Sequence, residues 1–495
     1  MSDCSIVYWC SSLEKHMCGY CKNARGNVSH GMWAKSLTVE DYQNLIDRGW
    51  RRSGSYCYKP LMNATCCPMY TIKCDTQNFQ LSKSQKKVIK NFNKFSKDGE
   101  LKKSGSQQNF EETADNVSDF VYREAPRQIV AHEQLMDSDI VLENSEVVSL
   151  SGGSKASKVP HEPIPSTSQI TEQNSVQYER LKQPKSGVGA DPTKPPCKKA
   201  KLVRMERKKE KLLKRGMSLE KIEVRNEQKS LEEFLNEVSQ DGKHKFKLEL
   251  IHTGSRSKEW ENLKKIEFAL YKKYQMAVHN DPPEKCKMEG FLRFLVNSPL
   301  EHVKFSKDSE LGFGSFHQLY WLDDKLIAVG VIDILPKCVS AVYFFYDPDY
   351  RDLTLGTYGS LREVEFARSL HLKRPSIQNY YMGFYIHSCT KMRYKGKLTP
   401  SFLLCPETYH WIPIEKCLQK LEVSKYSRLD EDQAATDENV CSGSDLDEIK
   451  VIKNRKLILF RQFKLKYGGQ ELFNIIGQLV GQKCSKSLIF MGDHL

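Results

Sequence analysis

The sequence predicts an α+β protein built on a mixed sheet, and three observations carry that prediction. Apolar, β-branched runs of strand length follow one another across short turns. They are Ser315–Leu322, Lys325–Leu335 and Val339–Tyr346, separated at Asp323-Asp324 and Pro336-Lys337-Cys338. The third run then breaks at Asp347-Pro348 and gives way to a helical pattern, Leu361, Val364, Ala367 and Leu370, before a further strand at Tyr380–His387. Finally, eight of the 16 cysteines fall within the first 74 residues, which marks a small module distinct from the apolar second half.

The totals bound the function. A chain of 495 residues is long enough for two or three domains at roughly 150 residues each. No apolar run reaches the roughly 18 residues of a membrane span. The N-terminal stretch lacks the basic-then-apolar order of a signal peptide, so the expectation is a soluble intracellular protein with no membrane partner. The net charge of +14 points to a polyanionic partner, nucleic acid ahead of membrane, unless the charge is solvated in unstructured segments.

In chain order, residues 1–97 read as a Cys-rich module. Cys18-Gly19-Tyr20-Cys21 sets two thiolates across a tight turn, half of a metal site. Cys66-Cys67 before Pro68 is the candidate second half, with His16, His30, Cys57 and Cys74 in reserve; a buried thiol pair or a regulatory disulfide is the alternative. Between the halves, Arg51, Arg52 and Lys59 lie among aromatics and glycines, a composition suited to an anion pocket or to a charged surface turn. Leu81–Lys97 is a basic amphipathic helix with Val88, Ile89, Phe92 and Phe95 on its apolar side. Its lysines, Lys86 and Lys87 among them, suit a phosphate backbone or a solvated face.

Residues 98–200 are rich in Ser, Gln, Glu, Lys and Pro and are expected to be a disordered insertion. Residues 201–243 read as a charged helical linker, preceded by a Lys198-Lys199-Ala200-Lys201 cluster of nuclear-import type. The second globular region spans 244–415. At its centre Gly356 and Gly359 precede the helical pattern. Glycines there free the backbone, and a helix N-terminus welcomes a phosphate or carboxyl oxygen; a plain strand–helix connection is the alternative. Lys391, Arg393, Lys395 and Lys397 read as a basic strand end. Residues 416–495 are expected to form an extension with a flexible acidic loop around Arg428–Asp447 and a packed helix at Leu472–Val480.

These pieces together closely resemble the eukaryotic arginyl-tRNA–protein transferases. The resemblance is carried by Cys18-Gly19-Tyr20-Cys21, Gly49–Pro60, Cys66-Cys67-Pro68, Lys83-Ser84-Gln85-Lys86-Lys87, Gly312–Gln318, Ala328–Pro336, Tyr343–Tyr358 and Tyr381–Pro406. It covers residues 1–97 and about 244–415. It implies transfer of arginine from arginyl-tRNA to proteins starting with Asp, Glu or oxidised Cys, marking them for ubiquitin-dependent degradation in the N-degron pathway. It also implies a GNAT-like acyltransferase fold for the second domain, and iron–sulfur or zinc ligation by Cys18, Cys21, Cys66 and Cys67. No CoA is expected, because Arg351 and Gly356 are too widely spaced for a pyrophosphate loop and Thr357-Tyr358 separates Gly356 from Gly359.

On this footing Arg51, Arg52 and Lys59 are candidates for receiving the acidic N-terminal side chain. Asp333, Asp347 and Glu365 are candidates for holding the arginyl guanidinium or the attacking amine. His317 and His387 are candidate bases, or else satisfied core or strand histidines; Tyr346 and Arg351 are candidates for lining the donor site, and Lys86, Lys87, Lys391, Arg393 and Lys395 are candidates for contacting tRNA. The expected location is cytoplasm and nucleus. The competing readings are an RNA-binding regulator with a zinc module and an acyl-CoA N-acyltransferase.

Overall fold

The computed structural model describes residues 4–10, 13, 15–100, 204, 206–207, 210–211, 229–238, 241–309 and 311–492. The expected insertion at 98–200, except residues 98–100, and most of the expected linker at 201–243 lie outside these residues. No described helix is long and apolar enough to cross a membrane.

The chain opens with β1 (Ile6–Cys10), β2 (Lys15–His16), β3 (Asn27–Ser36) and helix α1 (Val39–Ile46), followed by β4 (Arg51–Ser53), β5 (Tyr56–Pro60) and β6 (Tyr70–Asp75). Helix α2 (Lys83–Asp98) follows, started by a reciprocal Ser82–Gln85 capping box and stopped by Gly99 in the left-handed region. Beyond the undescribed stretch come α3 (Leu231–Asn236), β7 (Phe246–His252) and α4 (Lys258–His279). Then β8 (Val303–Lys304) leads to the meander β9 (Gly312–Leu322), β10 (Lys325–Leu335) and β11 (Cys338–Tyr346). Helix α5 (Leu355–Lys373), β12 (Asn379–Tyr385), β13 (Ser401–Leu404), β14 (Trp411–Pro413) and α6 (Ile414–Val423) complete the second half. The C-terminal part contributes the hairpin β15 (Lys450–Lys453) and β16 (Lys456–Leu459), helices α7 (Phe460–Tyr467) and α8 (Gln470–Ser487), and β17 (Ile489–Met491).

Two mixed sheets result. One runs β16-β15-β17-β1-β3-β5-β4; the other runs β14-β13-β6-β12-β11-β10-β9-β7. The sheets exchange strands across the expected boundaries at 97 and 415. β6 inserts between β13 and β12 of the second sheet, while β15, β16 and β17 complete the first. Apolar α2 residues follow β6: Phe92 stacks on Tyr358 of α5 at 4.0 Å between ring centroids, within the core of the second sheet. The helix is therefore anchored by its apolar stripe, with Lys87 on its exposed face and Lys86 half-buried.

Two local expectations are corrected. Gly356 and Gly359 lie inside α5 and form no phosphate-cradling turn. A Cβ on Gly359 would sit 2.4 Å from the Phe344 ring, so this glycine lets α5 pack closely on β11. The acidic segment around Arg428–Asp447 is pinned: Arg48 holds Asp437 at 2.7 Å and His410 holds Asp430 at 2.7 Å.

Candidate active site and thiolate cluster

β11 and β12 pair in parallel only at Cys338, Val339 and Ser340, opposite Asn379, Tyr380 and Tyr381. Beyond that point both strands bulge. On β11 the pairing with β10 skips Val342, and on β12 the pairing with β6 shifts between Tyr381 and Phe384, where Gly383 has φ +68°. An extra residue in each strand bends it away from its neighbour. The gap is an open cleft lined by Ser340, Ala341, Val342, Gly383, Phe384 and Met392. Its other wall comes from the first sheet and its surroundings: Arg51, Arg52, Tyr58, Tyr42 and Tyr20.

The two arginines differ. Arg52 Nε donates to Asp333 at 2.8 Å and its Nη2 at 2.5 Å, and Nη2 also donates to the Ser315 hydroxyl at 2.9 Å. Burial alone would lower the pKa of this guanidinium, but the Asp333 charge and hydrogen bonds outweigh it and raise it. Asp333 is thereby committed to Arg52, which corrects the expectation that it meets a substrate cation and that Arg52 meets a substrate carboxylate. Arg51, by contrast, is only 5% exposed and pairs with no carboxylate among the described residues. Its Nη groups donate to the Trp50 and Gly383 carbonyls at a long 3.3 Å each, and its buried Nε has no hydrogen-bond partner. Its guanidinium lies 5.6 Å from the Phe384 ring centroid and 5.9 Å from that of Tyr381. A desolvated, unneutralised cation of this kind favours an anionic partner.

The remaining expected site residues scatter. Lys59 is buried on the opposite side of β5 from Tyr58, its Nζ donating to Arg48 O at 2.6 Å and Tyr409 OH at 2.8 Å. Burial and the nearby Arg48 charge push its pKa well down. It does not face the cleft, which corrects its expected role. His317 is sealed in the core, with Nδ1 at 2.7 Å from Glu267 and Nε2 at 3.0 Å from Leu295 O. Both partners are acceptors, so both ring nitrogens carry hydrogen and no lone pair is left for a base; that expectation is corrected. Asp347 is 2% exposed, caps the turn after β11 and binds Lys273 at 2.5 Å and Lys325 at 2.7 Å. Burial would raise its pKa, but the two lysines outweigh this and lower it. Asp347 follows the far end of β11, five residues past Val342, and its expected catalytic place is corrected.

Tyr346 is packed against Tyr274, Arg351 is exposed in the turn after Asp347, and Glu365 is half-buried on α5 with its carboxyl pushed up by burial. None of the three lines the cleft. The basic strand end is corrected to a helical turn: Thr390–Arg393 is helical and Tyr394–Lys397 continues it. Lys395 is buried there and donates to Phe384 O at 3.1 Å, so it is spent inside the fold. Lys391 and Arg393 are exposed on either side of the cleft residue Met392. The sequence assigns no role to Tyr20, Tyr42 or Tyr58: Tyr20 sits in the Cys18–Cys21 turn and Tyr58 in the aromatic stretch Gly49–Pro60, whereas Tyr42 on α1 has no local signal and reaches the cleft through the fold. No carboxylate or imidazole is among the described residues lining the cleft.

Cys18, Cys21, Cys66 and Cys67 bring their sulfurs within 4.8 Å of one another. Tetrahedral thiolates at about 2.3 Å from one ion lie roughly 3.8 Å apart, so the four fit a metal. The backbone near Asn23 lowers the Cys21 thiol to about 7, while burial pushes Cys67 up to about 12. Close backbone approach is required here too, since a Cβ on Gly26 would meet Cys66 Sγ at 2.4 Å. Tyr20, between two of the ligands, is also a wall of the cleft.

Residues 16–87 match the family described as arginine-tRNA-protein transferase, N terminus, and residues 266–405 match its C terminus. The chain is 43% identical over 501 residues to arginyl-tRNA–protein transferase 1 of Drosophila melanogaster, covering 99% of this chain and 100% of that one. It is 35% identical to arginyl-tRNA–protein transferase 2 of Arabidopsis thaliana, over 86% of this chain and 78% of that one. A shorter match, 36% identical over 30% of this chain and 54% of the other, is to an aspartate/glutamate leucyltransferase of Stutzerimonas stutzeri.

Proposed function

Because this chain belongs to the arginyl-tRNA–protein transferase family, enzymes that move arginine from tRNA to proteins, we propose that it arginylates the α-amine of proteins beginning with Asp, Glu or oxidised Cys. The products are then destined for ubiquitin-dependent degradation. The observation that carries the acceptor preference is Arg51, a buried guanidinium at the cleft with no carboxylate partner among the described residues. An acidic side chain entering the cleft supplies the missing anion in a bidentate geometry. The name of the bacterial leucyltransferase relative, which specifies aspartate and glutamate, supports the same preference.

The chemistry asks mainly for alignment. The aminoacyl ester is already activated, and holding the amine against it converts a bimolecular step into an effectively unimolecular one. The amine's own pKa of roughly 7.7–8.0 leaves much of it neutral at neutral pH, and the guanidinium of Arg51 nearby favours the neutral form. A cleft without carboxylate or imidazole therefore suffices, with water accepting the proton. Where β11 and β12 diverge beyond Ser340 and Tyr381, peptide N–H groups facing the gap lack ladder partners and are candidates for stabilising the oxyanion. The splay after a three-strand meander also supports a GNAT-like reading of this sheet. Gly356 and Gly359 are helix-interior, which weighs against an acyl-CoA reading that needs them in a pyrophosphate loop.

Exposed Lys391 and Arg393 beside Met392 are proposed to meet phosphates near the arginylated end of the tRNA, with Lys86 and Lys87 on α2 as further contacts. Cys18, Cys21, Cys66 and Cys67 are proposed to hold zinc or an iron–sulfur cluster. Bound there, the group cross-links the two cysteine segments, and this chain's contribution is to set Tyr20 in the cleft wall. Action in the cytoplasm and nucleus is proposed with it. The test is labelled arginyl-tRNA offered to one peptide starting with Asp and another starting with Gly. Label on the Asp peptide alone supports the proposal. Equal label on both defeats the acceptor preference, and RNA binding without product favours the regulator reading.

A further inference from the structure

Residues 450–469 carry seven basic side chains and no carboxylate. The β15–β16 hairpin turns at Asn454 and Arg455, whose φ values of 51° and 64° are the left-handed pair of a tight type I′ turn. The turn carries exposed Arg455 and Lys456, and α7 adds exposed Arg461 and Lys466. None of these four pairs with a carboxylate among the described residues, although neighbouring lysines do: Lys464 with Asp447, and Lys486 with Asp445. Tyr467, 41% exposed, lies under the Lys466 ammonium at 5.2 Å from the ring centroid. Like charges clustered without acids repel one another in the free protein, and a polyanion relieves that repulsion. Aromatic interleaving suits nucleic acid in particular.

The register says where this patch lies. One continuous row crosses the first sheet through Leu457, Ile452, Met491, Tyr8, Trp33, Tyr56 and Ser53. Leu457 adjoins Lys456 at one edge, and Ser53 adjoins Arg52 of the cleft at the other. The two sites thus sit at the same level of the sheet, six strand spacings of about 4.8 Å apart, or about 29 Å along the sheet. That is far beyond a terminal nucleotide in the cleft and equals roughly nine stacked base steps of about 3.4 Å each.

We infer that the β15–β16 hairpin and α7 form a second contact for the tRNA, gripping phosphates of its helical body while the arginylated end lies in the cleft. The inference rests on the proposed use of arginyl-tRNA at that cleft. In the full chain, the four-fold variant Arg455→Glu, Lys456→Glu, Arg461→Glu, Lys466→Glu is compared with wild type by tRNA titration and by steady-state transfer across a salt series. The KM for arginyl-tRNA is expected to rise at least about tenfold, and the log–log salt slope to fall by about 1 per phosphate contact removed. The KM for the Asp peptide, and transfer from an arginylated hairpin too short to span the sheet, stay unchanged. Should the reversals lower the melting temperature, the corresponding Gln variants give the same readout with a smaller charge change.

Unchanged tRNA affinity and salt slope overturn the inference. So does an equal loss with the short hairpin, which puts the patch at the aminoacyl end. Lost binding to phosphatidylserine vesicles with tRNA affinity intact overturns it in favour of a membrane surface. A wild-type chain that binds tRNA through this patch yet transfers no arginine contradicts the parent reading and leaves the contact standing.

Discussion

Arg52 and Asp333 form an ion pair across the two sheets, with side chains 2% and 0% exposed. The pair ties the short strand β4 to β10 in the middle of the meander sheet, and it neutralises one of the two arginines at the cleft. Removing either partner leaves an uncompensated buried charge. Arg52→Ala or Asp333→Ala is therefore expected to lose about 3–5 kcal/mol of stability, read by urea denaturation. The double variant Arg52→Met/Asp333→Leu recovers most of that loss. Single variants as stable as wild type contradict the assignment.

The thiolate cluster and the cleft share Tyr20. Stripping metal from the full chain, or substituting Cys18→Ser, is expected to lower the melting temperature and raise the KM for the Asp peptide several-fold, with tRNA affinity held. Metal analysis of the same samples reports the loss directly. A metal-free chain with unchanged melting and unchanged peptide KM contradicts a positioning role for the site.

The rate should follow the acceptor. Only the neutral amine attacks, so kcat/KM rises with pH at a slope of about 1 to the amine's pKa, near 7.7–8.0, and is flat above it. Peptides with less basic amines move the inflection down with them. An inflection that stays fixed as the acceptor changes reveals a base on the enzyme.

Stability has its own pH dependence at His317. Burial lowers the pKa of this imidazole, but Glu267 and the Leu295 carbonyl outweigh it and raise the value above 6.5. A raised folded pKa gives stability that is complete below the unfolded value of about 6.5 and lost as pH rises through the folded one. Denaturation measured from pH 6 to pH 9 should show this decline, and His317→Gln should remove it.

Local patterns made part of this legible. The strands at Lys325–Leu335 and Val339–Tyr346 and the helix at Leu361–Leu370 stand close to where alternation and periodicity put them. The four cysteines were legible from their clustering. What a sequence hides is distance. β6 pairs with β12 and β13 more than 300 residues away, and the C-terminal strand β17 pairs with β1 at the other end of the chain. The distinction between Arg51 and Arg52 depends on a partner 281 residues on. Gly356 and Gly359 were misleading because the helix starts at Thr354 without a side-chain cap, while Phe344, the neighbour that explains Gly359, lies on another element.

Whether Arg51 receives the acidic acceptor is read from labelled-arginine transfer by Arg51→Ala and Arg51→Lys. With the fold intact, both should lose about ten- to a thousand-fold in kcat/KM for the Asp peptide, as expected for about 1.5–4 kcal/mol of lost charge-assisted binding, with the KM for arginyl-tRNA unchanged. Lysine should recover only part, because it cannot offer the two-pronged contact. Asp-peptide kcat/KM at the wild-type level in both variants excludes Arg51 as the receptor of the acidic side chain.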